Sequence, residues 1–244
     1  MTNTIWKDIK IAGIQKLTLL DYPEKTAAIL FLPGCNMKCP FCHNYTLANG
    51  STYATLNNND IYQYLLSRRK LLDGIVITGG EPSNQNIIPL LTTIKEIGYQ
   101  IKIDTNGLRP NHIQEWLDKN LIDYIAMDVK NSSKKYAQTC GMTNINLNLI
   151  QKSIRIIMES TIDYEFRTTL IPNYHSIEDI QDIGKNLIKN AKKYYLQPFV
   201  TRDTVPDKTL KEPSDQLLID CINAVKPYVQ HVEIRGRDIK PNLA

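Results

Sequence analysis

Three of the five cysteines fall within eight residues, at Cys35, Cys39 and Cys42 of the stretch FLPGCNMKCPFCHN, and His43 stands directly behind the third. Thiolates are soft donors that suit zinc, copper(I) or iron–sulfur clusters. The C-x3-C-x2-C spacing leaves two chemistries open. With His43 as a fourth ligand, the group closes into a structural zinc site. Without it, three cysteines hold an iron–sulfur cluster in which one iron lacks a protein ligand, and an open metal position is where a substrate or cofactor binds. Adjacent residues on a tight loop rarely aim at one ion, which weighs against His43. Cys221 sits on the apolar stripe of a predicted helix, where a buried free thiol is ordinary, and Cys140, in QTCGM, reads as a loop or helix-end thiol. A thioredoxin-type CxxC has no third cysteine so near.

The elements that must position these groups follow from periodicity. Apolar runs at 26–32, 74–80, 100–107, 123–130, 163–171, 193–199 and 231–236 read as strands. Between them lie helical patterns. Ile87, Leu90, Leu91, Ile94 and Ile97 share one face of 84–98, with Gly98 to cap it; Leu147, Ile150, Ile154 and Ile157 do the same in 145–158. Ser176 and Asp179 have capping-box spacing at the start of 176–191, and Leu217, Leu218, Cys221, Ile222 and Val225 line one side of 213–226. Residues 55–72 and 111–119 are weaker helices.

Strand and helix alternating about six times predict a parallel sheet. Continuously apolar strands such as 26–32 predict one covered on both faces. The pattern alone admits an open doubly wound sheet or a full or partial barrel. In each case the loops after the strands' C-terminal ends form the site. Those positions carry the cysteines, then GGEP, DTNG, MDVK, Arg167 and LQPF, in that order along six strands. Polar and Gly-containing segments thus recur where an active site should collect.

Composition sets the bounds. The 244 residues fit a single domain (1–244), with a core at about 20–200 and a C-terminal helix and strand at 213–236 packing on it. Twenty-nine Lys and Arg against 25 Asp and Glu give a formal charge of +4, too mild to argue for nucleic acid. No apolar run approaches the roughly 18 residues of a membrane span. The polar N-terminus does not read as a signal peptide, so a cytoplasmic protein made without a removed leader is expected. Clustered cysteines in such a chain favour metal or redox chemistry over a disulfide scaffold.

GCNMKCPFCHN, with its aromatic Phe41, resembles the radical S-adenosylmethionine signature CxxxCxΦC. GIQKLTLLDYPEKTAAILFLPGCNMKCPFCHN, ITGGEP, DTNG, MDVK, LQPF and the terminal IRG together resemble the glycyl-radical-enzyme activating enzymes, closest to the activating proteins of the anaerobic ribonucleoside-triphosphate reductase. The resemblance spans nearly the whole chain. It implies an α/β fold, a partial (β/α)6 TIM-type barrel with parallel strands. It implies a [4Fe-4S] cluster on Cys35, Cys39 and Cys42, with the amino and carboxylate groups of S-adenosylmethionine on the fourth iron. Phe41 and His43 would flank the adenine. Gly79, Gly80 and Glu81 would bind the methionine amino group, which suits glycines that admit a close ligand and a carboxylate that can pair with an ammonium. Thr105, Asn106, Asp128 and Lys130 would face the same cofactor.

Asp128 and Lys130 alternate on one strand and share a face, so a mutual salt bridge is the rival role. Arg167 would meet the cofactor carboxylate, or else pair with Asp128 or Glu81. Gln197 stands where the pyruvate formate-lyase activators carry a histidine near the ribose. Asp104, Thr105 and Asp128 match positions that surround a monovalent cation in those activators. His112, His175 and His231 lack motif context and read as surface or structural residues.

The implied reaction is reductive cleavage of S-adenosylmethionine, with one electron from a flavodoxin- or ferredoxin-like donor. The resulting 5′-deoxyadenosyl radical takes hydrogen from one glycine of a partner glycyl radical enzyme, for which the anaerobic ribonucleotide reductase is the first expectation. A radical enzyme acting on a small molecule or peptide is the first alternative, and a zinc-binding structural module the second. Five cysteines leave too few for an added ferredoxin-like insert.

Overall fold

Among the described residues, every strand but one is built on a run of β-branched and apolar residues, buried along most of its length except in the short last strand. In the computed structural model, which describes residues 5–50 and 54–238, these runs form β2 (Ala27–Leu32), β3 (Gly74–Gly79), β4 (Gln100–Thr105), β5 (Tyr124–Asp128), β6 (Asp163–Leu170), β7 (Tyr194–Pro198) and β8 (Val232–Ile234), each parallel to the one before it. The remaining strand, β1 (Gly13–Thr18), lies antiparallel on the edge against β2. It is a departure from the all-parallel expectation. Its Gln15, Lys16 and Leu17 are exposed, so it carries little of the apolar signal that marks the other strands.

The eight strands form one sheet in sequence order, β1 to β8. No strand order reverses, as it would at the switch point of a doubly wound sheet. The sheet curls into a partial barrel, and the choice left open by periodicity falls on the barrel.

Among the described residues, eight α-helices connect and cover the strands: α1 (Tyr45–Asn49), α2 (Asn58–Arg68), α3 (Ile88–Ile97), α4 (Pro110–Asp118), α5 (Tyr136–Thr139), α6 (Leu147–Glu159), α7 (Ile177–Asp182) and α8 (Asp215–Val225). Their starts are set by local chemistry. Asn57, Asn146 and Ser214 accept from backbone N–H groups in the first turn of α2, α6 and α8, and Pro110 opens α4. Ser176 and Asp179 form the reciprocal capping box their spacing predicts. The helix predicted over 176–191 is shorter than its pattern and loosens into a π-helical turn at Ile183–Leu187. α1 and α5 are too short for periodicity to reveal.

Two cores result. The larger lies between the sheet and the helices, where Leu90, Leu91, Ile94, Ile150, Ile154 and Ile157 meet Ile75, Ile77, Ile101, Ile103 and Ile125. Each such side chain contributes about 1.5–3 kcal/mol by leaving water. The smaller fills the inside of the barrel with Tyr22, Ala27, Ile29, Val76, Tyr124 and Ala126. Beside it the interior turns polar. Glu165 is fully buried and is held by both guanidinium nitrogens of Arg235, at 2.5 and 2.8 Å, and by the Tyr124 hydroxyl at 2.8 Å. Arg235 also stacks on Tyr195, 3.6 Å from its ring centroid. The terminal IRG segment is therefore anchored into the barrel. Among the described residues, no helix is long and apolar enough to cross a membrane.

Candidate functional site

The strand ends converge on one cavity of about 390 Å³. All the residues named from the sequence line it: Cys35, Cys39, Phe41, Cys42 and His43 from the loop after β2; Gly79, Gly80 and Glu81 from β3; Asp104, Thr105 and Asn106 from β4; Asp128 and Lys130 from β5; Arg167 from β6; and Gln197 from β7. Asp21, Met37, Asn44, Thr78 and Thr169 also line it and were not anticipated. Thr78 and Thr169 fall on the inward alternation of β3 and β6, a signal that could have found them.

Close backbone approach fixes the glycines. A Cβ on Gly80 would lie 2.0 Å from the carbonyl oxygen of Gly34, just ahead of the first cysteine. Gly79 has φ +117°, and a Cβ there would lie 2.5 Å from the carbonyl oxygen of Leu32. The GG pair therefore lets β3 pass directly under the cysteine loop. Glu81 donates no proton here; it collects them. Its Oε1 accepts from Ser83 N (3.1 Å), Ser83 Oγ (2.6 Å) and Thr105 Oγ1 (2.8 Å), and its Oε2 from Asn106 N (2.7 Å). Burial raises its pKa against the pull of these donors. Glu81 thus ties the end of β3 to the end of β4. Asn106 extends the tie to the loop, its Nδ2 donating to Asn36 at 2.7 Å and lying 3.8 Å from the Cys35 sulfur.

The three motif cysteines are free thiols. Burial pushes the Cys35 thiol up to about 12 and raises Cys42. Cys39 moves the other way, lowered by its neighbour Cys140. His43 turns away: its Nε2 lies 2.9 Å from the carbonyl oxygen of Val200, and its ring stacks on Phe199 at 5.8 Å and 27°. Burial lowers its pKa. Among the described residues, no three His, Cys, Asp or Glu side chains gather as the ligands of one metal ion. A cluster asks for something different, thiolates spread over separate irons. Three soft thiols on one cavity wall, with the histidine engaged elsewhere, fit a cluster better than a four-ligand zinc.

Acids and bases fill the opposite wall. Arg167 donates from Nε to Asp128 (3.0 Å) and from Nη1 to Asp104 (3.2 Å). Lys130 Nζ meets Asp128 at 2.9 Å, and Lys102 pairs with Asp104. Of the partners weighed for Arg167 within the chain, Asp128 is engaged and Glu81 is not. Burial works against the charge of Lys130 and Arg167, but Asp128 for the first and Asp104 for the second outweigh it, and both pKa values rise. Burial likewise opposes ionisation of Asp128, and Arg167 overcomes it to hold the carboxyl at about 2.

Asp104 and Asp128 are thus neutralised by cations of the chain itself, while Thr105 faces Glu81. Within the cavity Lys130 and Arg167 are thus the two cations, each paired with a carboxylate beside it. Lys130 also lies 5.9 Å from the Phe41 ring centroid. His175, expected to be structural, is buried and holds the carbonyl of Lys130 at 2.8 Å from Nε2.

Comparison with known proteins agrees with this geometry. Residues 29–185 match the family described as the Radical SAM superfamily. A Methanocaldococcus jannaschii protein assigned to the glycyl-radical enzyme activating enzymes is 36% identical over 236 residues, covering 92% of this chain and 95% of its own. The pyruvate formate-lyase-activating enzyme of Clostridium pasteurianum is 26% identical over 200 residues, covering 79% and 82%. The fold is similar to that of Streptococcus suis SuiB, solved with S-adenosylmethionine bound, at a TM-score of 0.61 and 18% identity over 85% of this chain and 52% of that one. The chain belongs to the radical S-adenosylmethionine superfamily, whose members work with a [4Fe-4S] cluster and that cofactor, and within it to the glycyl-radical-enzyme activating enzymes.

Proposed function

We propose that the chain, acting as one unit, installs a glycyl radical on a partner enzyme, for which an anaerobic ribonucleoside-triphosphate reductase is the first candidate. Cys35, Cys39 and Cys42 would hold the cluster and leave its fourth iron for S-adenosylmethionine. When bound, the pair supplies the chemistry: one electron cleaves the sulfonium C–S bond to give methionine and a 5′-deoxyadenosyl radical, which takes the Cα hydrogen of the partner's glycine and leaves as 5′-deoxyadenosine.

The protein's part is to bind, orient and exclude water. Lys130 and Arg167 are donors that suit the cofactor's carboxylate, with Asp104 and Asp128 fixing their direction. The Glu81 side chain keeps lone pairs on Oε2 beyond its bond to Asn106, and its backbone segment is the surface nearest the cysteine loop; both suit the methionine ammonium. Phe41 and His43 would bracket the adenine, with Thr105 and Asn106 on one side of the cofactor and Gln197 toward the ribose. No acid–base residue is required. A flavodoxin- or ferredoxin-like protein would deliver the electron, and the setting would be the anaerobic cytoplasm.

The single observation that carries the reading is the meeting of three free motif thiols with Lys130 and Arg167 in one cavity at the strand ends. The test is electron paramagnetic resonance of candidate glycyl radical enzymes after anaerobic incubation with this protein, S-adenosylmethionine and dithionite. A glycyl doublet on one partner, with stoichiometric deoxyadenosine, is expected. Deoxyadenosine with no doublet on any partner would move the substrate to a small molecule or peptide. Colourless protein rich in zinc would overturn the reading.

A further inference from the structure

His175 belongs to no motif, yet its ring is set against the stretch of backbone that carries Lys130 into the cavity. Just past the end of β5, the N–H of Val129 still donates to the carbonyl of Arg167 at 2.8 Å, as a ladder bond would. Lys130 lies one residue further, and there His175 takes over, its Nε2 meeting the carbonyl oxygen of Lys130 at 2.8 Å. Nδ1 lies 3.2 Å from both the nitrogen and the carbonyl oxygen of Ile171. Burial lowers the pKa of the ring, so it is neutral and carries one proton. A proton on Nδ1 would leave two lone pairs facing each other across the Lys130 contact. The proton therefore sits on Nε2 and is donated to Lys130, while Nδ1 accepts from the N–H of Ile171.

The turn that carries His175 does not depend on its ring. The backbone N–H groups of Tyr174 and His175 both donate to the carbonyl of Ile171 at 2.9 Å, and Asn131 Nδ2 donates to the carbonyl of Tyr174 at 3.1 Å. The ring, only 3% exposed, is thus left to act on Lys130. The Lys130 ammonium has three N–H groups, and Asp128 takes one of them at 2.9 Å, which leaves donors for a ligand of the cavity.

We propose that His175 is a positioning residue: its Nε2–H fixes the backbone of Lys130 so that the ammonium meets the carboxylate of S-adenosylmethionine. The inference rests on the proposed binding of that carboxylate by Lys130.

The test is calorimetric titration of S-adenosylmethionine into anaerobically reconstituted wild type, His175→Asn, His175→Gln, Lys130→Met and the double variant His175→Asn with Lys130→Met. The asparagine amide takes the place of Nδ1, so it serves Ile171 and falls short of Lys130; the glutamine amide reaches the place of Nε2. All five should fold and carry the same iron per chain. His175→Asn should weaken binding about three- to tenfold, the effect of one hydrogen bond, and His175→Gln should recover most of it. In the Lys130→Met background His175→Asn should change nothing further, because the ring acts through that ammonium. An equal loss with and without Lys130 would overturn the proposal, as would wild-type affinity in His175→Asn or a His175→Gln no better than His175→Asn. Loss of iron or of fold in His175→Asn would overturn it too, by making the bond a structural one. Wild-type protein that takes up no cluster, or wild-type affinity in Lys130→Met, would instead refute the reading beneath it.

Discussion

Replacing Glu81 with glutamine should destabilise the protein before any cofactor is bound. The carboxylate accepts four hydrogen bonds, three on Oε1 from Ser83 and Thr105 and one on Oε2 from the backbone of Asn106. Hydroxyls can reverse their roles and accept from an amide. Backbone N–H groups cannot. One amide orientation leaves the N–H of Asn106 facing an NH2 group, and the other leaves the N–H of Ser83 in that position. Ser83 and Asn106 are both buried, so no water takes over. One orphaned buried donor costs about 1–3 kcal/mol.

For a chain of this size that is a fall of about 2–12 °C in melting temperature. The assay is reversible denaturant unfolding of reduced, cofactor-free protein, with calorimetry for the melting point. The pH dependence should change too. Burial raises the native pKa of Glu81 above its unfolded value, so ionising it costs the native state stability as pH rises between the two. Glu81→Gln removes that slope. A variant as stable as wild type at pH 7 would show that the strand-end tie does not exist.

Three other perturbations probe the same frame. Gly80→Ala should force β3 away from Gly34, whose carbonyl oxygen would stand 2.0 Å from the new Cβ, and abolish S-adenosylmethionine binding in calorimetric titration while leaving the far-ultraviolet dichroism unchanged. Arg167→Met removes one hydrogen bond from each of Asp104 and Asp128, which keep Lys102 and Lys130, and should cost about 1.5–3 kcal/mol near neutral pH. Asp128 has a depressed native pKa of about 2, so its contribution is present above the unfolded pKa and is lost as pH falls through 2; the acid limb of the stability curve should flatten in the variant. Arg235→Met leaves the buried Glu165 with Tyr124 alone and should cost about 3 kcal/mol, with hydrogen exchange rising first in β8. Adding Glu165→Gln to Arg235→Met should restore part of that loss, and a double variant weaker than the single one would contradict the ion-pair account.

The sequence was most legible where one element reports on itself. Continuous apolar strands, the Ser176–Asp179 cap and the ordered strand ends all state their roles locally, and the barrel brings those ends together. What was hidden depends on register between strands. Asp128 lies directly across from Arg167 on β5 and β6, while Asp104 reaches the same guanidinium from β4, and no spacing along the chain encodes that. Arg235 finds Glu165 from 70 positions away. Cys140, a loop or helix-end thiol by its sequence, caps the short α5; its place behind the cysteine loop comes from the backbone seam between Lys38 and Cys140–Gly141. β1 escaped because a half-exposed edge strand needs few apolar residues.

The central claim is that Cys35, Cys39 and Cys42 hold a cluster whose remaining iron stays open for S-adenosylmethionine. Electron paramagnetic resonance of the reduced, reconstituted protein, recorded before and after the cofactor is added, tests it most directly. The account predicts a reduced [4Fe-4S] signal whose g values shift on addition, and loss of the signal when any one of the three cysteines becomes alanine. A spectrum unchanged by the cofactor, or a signal that survives loss of one of those cysteines, would contradict it.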